Sequence, residues 1–245
     1  VSKKPITKLM ARFTLQPGFP VISVSQNKQA VTFSQERFIL GTAKGKESWL
    51  VPVTYTLSEK KKDTFLLANK TQKIVVAGSF DYLKVNPYEL SFFITSYSPE
   101  LLERLYEPVL RRSFGSIDRL AIIRDLHYLL LAGRLEPAIV LNFLTAYRNE
   151  EAYVVWVEIT AVISTLRKIL YGTASYPLFE TYVQACIGPL FKKLGYVKII
   201  GESNLDVLLR SMILSLASLY NLPTARAQAV TLFKERAAKP LDPDV

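Results

Sequence analysis

The period of the hydrophobic pattern changes once along the chain, close to Tyr97. Before this point, short runs rich in Val, Ile, Thr, Phe and Tyr alternate in part with polar residues, a pattern typical of half-buried strands. After it, apolar residues recur every three or four positions, as on the buried face of a helix. This order predicts a mixed fold of two domains, in which a β domain is followed by an all-α domain.

Seven short runs in the first part are predicted strands. They cover residues 19–25, 30–40, 49–57, 63–68, 72–78, 81–86 and 89–97. So many short strands within about 80 residues, with no helical period among them, predict an antiparallel β-sandwich. Pro20 and Pro52 are expected at strand starts, edges or bulges, because proline has no N–H group for the ladder.

The second part is predicted to be a stacked array of αα-hairpins joined by short corners. Ser98 and Pro99 suit the N-cap and first position of a helix, which Pro108 is expected to kink or split. Ser116 is expected to cap the next helix, and Gly133 to end it in a left-handed conformation. Further helices are predicted over residues 136–149, 150–172, 175–194, 204–219 and 223–238.

The helix that follows Ser116 has an unusually wide apolar side, so it is expected to be nearly enclosed by neighbours. Arg124, Asp125 and Tyr128 share the remaining side with Asp118. Arg119 falls in the middle of the apolar side. Its guanidinium therefore needs a partner, and Glu150 or Glu151 could supply a structural ion pair. A ligand-contacting Arg119 is the alternative, and Arg119→Leu is expected to destabilise the helical part.

The formal net charge of +10 raises the question of a nucleic-acid or acidic-membrane partner. The basic residues are scattered, however, with small clusters only at residues 60–62, 111–112 and 192–193. A solvated basic surface is favoured, and nucleic acid is not expected as a partner. Uninterrupted apolar runs fall short of the roughly 20 residues that span a bilayer, so no membrane span is expected.

The residue types needed for an active site are scarce. A zinc site needs at least three side-chain ligands, but the sequence has one histidine, His127, and one cysteine, Cys186. HExxH, GxSxG and a Gly-rich phosphate loop are absent from the sequence. No catalytic residue, metal ligand or cofactor is therefore predicted, and no substrate-binding residue is assigned. A single cysteine precludes an intrachain disulfide, which favours a cytoplasmic location.

Five stretches, in this order, resemble zinc aminopeptidases of the aminopeptidase N/puromycin-sensitive type. QPGFPVISV (16–24), SQERFIL (34–40) and WLVPVTY (49–55) are similar to the start of the family's β-sandwich domain. IDRLAIIRDLHYLLLAGRL (117–135) and NEEAYVVW (149–156) are similar to its helical domain. Gly18, Pro20 and Trp156 lie in these motifs and, with Arg119, are the structural candidates. Ile94 stands where the family usually has an arginine.

The resemblance implies domain bounds and a function. Residues 1–17 are expected to be the remnant of a preceding domain's terminal helix, 18–98 the β-sandwich domain, and 99–245 a truncated helical domain. The chain lacks an initiator Met and is expected to be a piece of a longer protein. The parent enzyme would use zinc, supplied by a missing catalytic domain, to remove N-terminal residues from peptides. This chain would shape and close the peptide cavity. A stand-alone scaffold or protein-interaction module is the alternative.

Overall fold

The structure, a computed structural model, describes residues 6–41, 45–58, 61–76, 78–198 and 200–236. The chain forms two compact units, Val1–Asn149 and Glu150–Val245. Residues 1–5 of the predicted remnant helix and 237–245 of the predicted helical domain lie outside the described part. The two units divide the chain at a different place from the predicted join between 98 and 99. Those sequence-based domain bounds stay a prediction.

Strands occur at all seven predicted runs of the described chain. They are β1 (Pro20–Asn27), β2 (Ala30–Arg37), β3 (Val51–Leu57), β4 (Lys61–Leu67), β5 (Thr71–Val75), β6 (Leu83–Val85) and β7 (Ile94–Tyr97). In β2, Val31, Phe33 and Gln35 are buried, while the residues between them are partly exposed. This period of two is the one that the sequence shows. Pro20 begins β1, as its missing N–H group favours.

The strands form two sheets, with the orders β5-β2-β1-β7 and β4-β3-β6. Among the described strands, neighbours are antiparallel except β1 and β7, which run parallel with Val21 opposite Ile94. The sandwich is therefore mainly antiparallel, as predicted, with one parallel pair at the edge of the first sheet. After β6 the chain crosses from one sheet to the other, and it enters β7 in the same direction as β1.

The inner faces of the two sheets share one hydrophobic core. Phe33 of β2 meets Tyr55 and Phe65 of the other sheet at ring distances of 6.0 and 5.0 Å. The buried amide of Gln35 joins the neighbouring loops, since its Nε2 donates to the Trp49 carbonyl at 2.9 Å and its Oε1 accepts from the Trp49 N–H at 2.7 Å. Buried polar groups are tolerated when they are hydrogen-bonded in this way.

Four helices belong to the first unit of the described chain. They are α1 (Ile6–Thr14), α2 (Pro99–Leu110), α3 (Ser116–Leu131) and α4 (Pro137–Leu144). Pro99 occupies a first-turn position, as predicted, and Pro137 occupies the same position in α4. α2 continues through Pro108, so this proline does not split it. Gly115 rather than Ser116 is the N-cap of α3, because Ser116 already has helical geometry.

Gly133 ends α3 as predicted. Its φ is +67°, and its N–H group donates to the Leu130 carbonyl at 3.0 Å. The next N–H group, of Arg134, donates to the Leu129 carbonyl at 2.9 Å. These two bonds form a Schellman motif, which satisfies carbonyls at the end of the helix. Glycine suits this position because it adopts a positive φ without a Cβ clash.

The second unit contains α5 (Tyr153–Leu170), α6 (Tyr176–Leu194), α7 (Asn204–Leu219) and α8 (Pro223–Arg236). Consecutive helices pack against each other, and α5 also contacts α7. The segment YVVWVEIT (153–160) is helical, as predicted for residues 150–172, although its β-branched residues favour a strand. With the helices of the first unit, this confirms the predicted fold class of a β-sandwich followed by stacked helices.

A buried ion pair fixes α7 in the second unit. The Arg210 side chain is 1% exposed and donates from two guanidinium nitrogens to the two carboxylate oxygens of Glu202. Its Nε also donates to the Leu194 carbonyl at 3.1 Å. A bidentate pair of this kind matches one buried cation with one buried carboxylate.

Candidate functional site

An aromatic depression of about 640 Å³ lies on the first unit. The rings of Phe19, Phe38, Phe92 and Tyr128 line it, as do the charged side chains of Glu89 and Arg124. Phe19 lies 5.2 Å from Phe38 and 5.0 Å from Phe92, measured between ring centroids. Phe92 remains 66% exposed. The depression can hold an apolar group beside an ion pair.

Charged side chains are buried in the same unit, where α3 contacts the turn that follows β6. Lys84 of β6 places its Nζ 3.5 Å from Asp118 Oδ1, and both side chains are less than a tenth exposed. The Lys84 ammonium also donates to the Val85 carbonyl at 2.7 Å. Burial lowers the pKa of Lys84, and the nearby carboxylates, Asp118 first, oppose this shift. The Lys84–Asp118 contact therefore joins α3 to β6.

Asp125 is a second buried carboxyl group on α3, one position after Arg124. Its Oδ2 accepts the Thr95 N–H at 2.9 Å, but its buried Oδ1 has no hydrogen-bond partner. Burial raises the pKa of Asp125 to about 7, and the charge of Glu89 adds to the rise. The Thr95 N–H, Arg124 and Lys84 oppose it. Desolvation is thus the main cause of the shift.

Arg124 connects this buried group to the depression. Its Nη2 donates to Glu89 Oε2 and lies 3.8 Å from Asp125 Oδ1. Arg124 and Glu89 are both partly buried, and both line the depression. The guanidinium therefore faces two carboxylates, of which Glu89 is much the closer.

The turn between β6 and β7 is backbone-strained. Asn86, Tyr88 and Glu89 have φ values of +54°, +61° and +55°. Such left-handed conformations cost non-glycine residues on the order of 1 kcal/mol each. Asp118 Oδ1 accepts the Tyr88 N–H at 2.8 Å, and the Asn86 side chain bonds both the N–H and the carbonyl of Ser91. Side chains thus hold the turn in a conformation that the backbone alone disfavours.

Arg119 is buried in α3, as its place on the apolar side predicted. Its Nη1 donates to the Phe114 carbonyl, and its own carbonyl accepts the Tyr147 hydroxyl at 2.7 Å. It does not line the depression. The predicted pairing with Glu150 or Glu151 concerns residues of the other unit and stays a prediction.

The remaining structural candidates, Gly18, Pro20 and Trp156, are also not among the residues that line the depression. Gly18 has a φ of +88°, and a Cβ there would meet Arg37 Nε at 2.7 Å, so both conformation and space favour glycine. Pro20 opens β1 opposite Arg37. In the second unit, the buried Trp156 donates from Nε1 to the Glu150 carbonyl at 3.0 Å. Ile94, at the position where the resemblance implied an arginine, does line the depression, and it is buried with Val21 and Leu129.

Sequence reasoning missed the buried charges. Asp118 and Asp125 are seven positions apart, which places them on the same side of a helix, and this spacing was an available signal. Lys84 between two apolar residues of a short strand was a second signal. Neither signal is sufficient to predict burial, because nothing local shows that α3 packs onto the turn after β6.

The residues that the structure describes do not fit a zinc site. Within the described residues, no group of three or more His, Cys, Asp or Glu side chains could hold a metal ion. His127 is buried in α3. Cys186 lies on α6, where burial raises the pKa of its thiol. A partly buried thiol with a raised pKa is a poor nucleophile and a poor metal ligand at neutral pH.

Helix length and apolarity bear on a membrane partner. In the described part of the chain, no single helix is long and apolar enough to cross a bilayer. α7 has the length and apolar composition of a membrane span only when it is taken together with Pro223–Lys234 of α8. The chain bends by 105° between these two helices.

Residues 82–245 match the family model of the ERAP1-like C-terminal domain. The chain belongs to this family. The match covers the buried charges from Lys84 to Asp125, the strained turn and all helices from α2 onward. The ERAP1-like C-terminal domain is the C-terminal region of M1 aminopeptidases, so the suspected family resemblance is confirmed.

Curated relatives carry aminopeptidase names. Aminopeptidase M1-C of Oryza sativa subsp. japonica is 30% identical over 228 residues, covering 87% of this chain and 26% of that protein. Aminopeptidase M1 of Arabidopsis thaliana is 28% identical, over 100% of this chain and 30% of that protein. The puromycin-sensitive aminopeptidase of Caenorhabditis elegans is 29% identical, over 100% of this chain and 27% of that protein. The chain thus spans between a quarter and a third of the length of these relatives.

Proposed function

We propose that this chain is the non-catalytic β-sandwich and helical lid portion of a zinc metallo-aminopeptidase that removes N-terminal residues from peptides. The observation that carries the proposal is the family match over residues 82–245, in a chain whose described residues do not fit a zinc site. Peptide hydrolysis by a metal-activated water requires ligands that hold the metal and leave one position open. Those ligands would come from a catalytic domain of the parent enzyme.

The helices would limit access to the active site and contact the distal part of a peptide. This role needs a rigid surface rather than reactive groups, and stacked αα-hairpins supply such a surface. The partners proposed are therefore the peptide substrate and the catalytic domain. We also propose a cytoplasmic location, which the single cysteine supports.

The test uses the parent enzyme with and without the second unit, residues 150–245. Loss of a lid should leave turnover of a leucyl amide within about twofold, because a single amino acid reaches only the catalytic pocket. It should lower kcat/KM for a ten-residue peptide by about tenfold or more, since contacts with the distal residues are lost. Equal losses for both substrates would contradict a lid role.

The isolated 245-residue chain supplies a second test. We expect it to bind less than one equivalent of zinc and to hydrolyse no leucyl amide, and one bound equivalent or measurable turnover would overturn the proposal. The reading frame upstream distinguishes this proposal from the alternative, a stand-alone module. An in-frame HExxH favours the aminopeptidase portion, whereas its absence favours a stand-alone interaction module, for which the exposed Leu90 and Phe92 side chains would be the first surface to examine.

A further inference from the structure

The buried charges beside the strained turn do not balance. Two cations, Lys84 and Arg124, face three carboxyl groups. Lys84 pairs with Asp118, and Arg124 pairs with Glu89. Asp125 is left with one N–H donor, from Thr95, and with Arg124 at 3.8 Å. A buried carboxylate without a cation of its own is disfavoured, and the neutral acid relieves the imbalance.

Among the residues that the structure describes, Arg124 and Lys84 are the cations that act on Asp125. The charges that act on it belong to Glu89, Arg124 and Lys84. The adjoining strand β7 contributes the Tyr97 hydroxyl, whose pKa is raised by burial. The α4 sequence PAIVLNFL, which also packs on α3, has no titratable side chain. His127 lies two positions further along α3 and thus about 200° around the helix.

The turn next to this group is held by α3 through two contacts. Asp118 accepts the Tyr88 N–H, and Arg124 donates to Glu89. Tyr88 and Glu89 both have left-handed backbone conformations, so the turn stores strain that these contacts offset. Weakening either contact favours relaxation of the turn. Because Glu89, Leu90 and Phe92 line the aromatic depression, relaxation changes its shape.

We propose that a proton on Asp125 controls how firmly α3 holds the strained turn, and that loss of this proton releases Glu89 and reshapes the aromatic depression. The ionised Asp125 attracts the guanidinium of the adjacent Arg124 and competes with Glu89 for it. The Tyr88 and Glu89 backbone then relaxes toward ordinary conformations. Neutral Asp125 leaves Arg124 to Glu89 and keeps the turn closed. This inference stands independently of the proposed aminopeptidase role.

The raised pKa of Asp125, about 7, supports a transition near neutral pH. The direction of this transition follows from the charge of Asp125 on either side of it. Below the transition Asp125 is neutral and the turn is held, and above it Asp125 is ionised and the turn is released. The Thr95 N–H should respond in the opposite sense, because its bond to Asp125 becomes charge-assisted when the proton is lost.

The experiment follows the intact 245-residue chain by NMR between about pH 5.5 and about pH 8.5, the interval in which a group of this kind titrates. Selective ¹³C labelling of Asp carboxyls reports the titration of Asp125. Amide hydrogen exchange, expressed as protection factors so that the intrinsic effect of pH cancels, reports the turn. We expect protection of the Tyr88 and Ser91 amides to fall by about tenfold as pH rises, while protection of Thr95 is kept or increased.

Two variants complete the design. Asp125→Asn keeps an acceptor for Thr95 and cannot ionise, so protection at Tyr88 and Ser91 should no longer depend on pH. Glu103→Gln removes an exposed carboxylate from α2 and should keep the wild-type dependence. The proposal is overturned by an Asp125 carboxyl that titrates below about pH 5, where ordinary aspartates do. It is equally overturned by unchanged protection at Tyr88, or by a pH dependence that survives in Asp125→Asn. If Asp125→Asn fails to fold, the carboxyl titration of the unmodified chain still tests the proposal.

Discussion

The two units bury charge in opposite ways. In the second unit, Arg210 and Glu202 form a one-to-one bidentate pair, with side chains 1% and 7% exposed. In the first unit, Lys84 and Arg124 face the three carboxyl groups of Asp118, Asp125 and Glu89. A matched pair has one stable protonation state over a wide pH range. The unmatched group must instead take up a proton or lose contacts, so it is sensitive to pH where the pair is not.

The largest effect should come from breaking the matched pair. Arg210→Ala leaves Glu202 buried without its cation, and removal of one partner of such a pair costs about 3–5 kcal/mol of unfolding free energy. Urea unfolding followed by Trp156 fluorescence, in a Trp49→Phe background, measures the loss in the second unit. A loss below about 1 kcal/mol, as for a surface pair, would contradict a buried role for the pair.

Removing a cation from the unmatched group should cost less and should depend on pH. Lys84→Met leaves three carboxyl groups facing Arg124 alone, so the cost is about 3 kcal/mol at pH 8.5 and smaller at pH 5.5, where protonation relieves the repulsion. Trp49 fluorescence in a Trp156→Phe background follows the first unit. Lys73→Met, on an exposed position of β5, is the matched control and should change stability little at either pH. Equal losses at the two pH values would remove the distinction between the units.

Asp125→Asn should remove a pH-dependent destabilisation. The folded-state pKa of Asp125, about 7, lies above the unfolded value, so its contribution to stability is lost as pH rises through 7. Relative to the unmodified chain, the variant should gain up to about 2 kcal/mol between pH 5.5 and pH 8.5. The same Trp49 measurement checks this, with Glu103→Gln as the control. A constant difference at all pH values would mean that Asp125 does not titrate in this interval.

Local signals account for what the sequence could predict. The seven strand runs follow from alternation of side chains, the C-terminal end of α3 follows from Gly133, and the start of α4 follows from Pro137, all of which act within a few residues. The family resemblance likewise rests on short motifs. The helical state of YVVWVEIT needed the whole 150–172 segment, because the β-branched residues alone favour a strand.

Contacts between distant segments account for the features that the sequence could not predict. Lys84 and Asp118 are 34 positions apart, and their pairing depends on α3 packing against the turn after β6. The parallel pairing of β1 with β7 has the same origin, since the chain must first cross between sheets. Asn86 is a residue type that tolerates a left-handed conformation, but Tyr88 and Glu89 give no such signal. The candidate site is therefore a tertiary feature.

The smallest effect should come from an exposed ion pair in the second unit. Lys193 Nζ lies 2.6 Å from Glu151 Oε1, but these side chains are 60% and 41% exposed. Solvent screening limits such a pair to about 0.2–1 kcal/mol, so Lys193→Ala should cost several-fold less than Arg210→Ala despite the short distance.

Lys193 also lies in the last turn of α6, where a cation interacts favourably with the helix dipole. Glu151→Gln separates the two contributions, because it removes the pair and keeps the lysine. A double-mutant cycle at low and high salt should give a coupling energy below about 1 kcal/mol that shrinks as salt is added. A larger, salt-independent coupling energy would mean that this exposed pair stabilises the chain as strongly as the buried pair of Arg210 and Glu202. Burial would then not explain why ion pairs in this chain differ in strength.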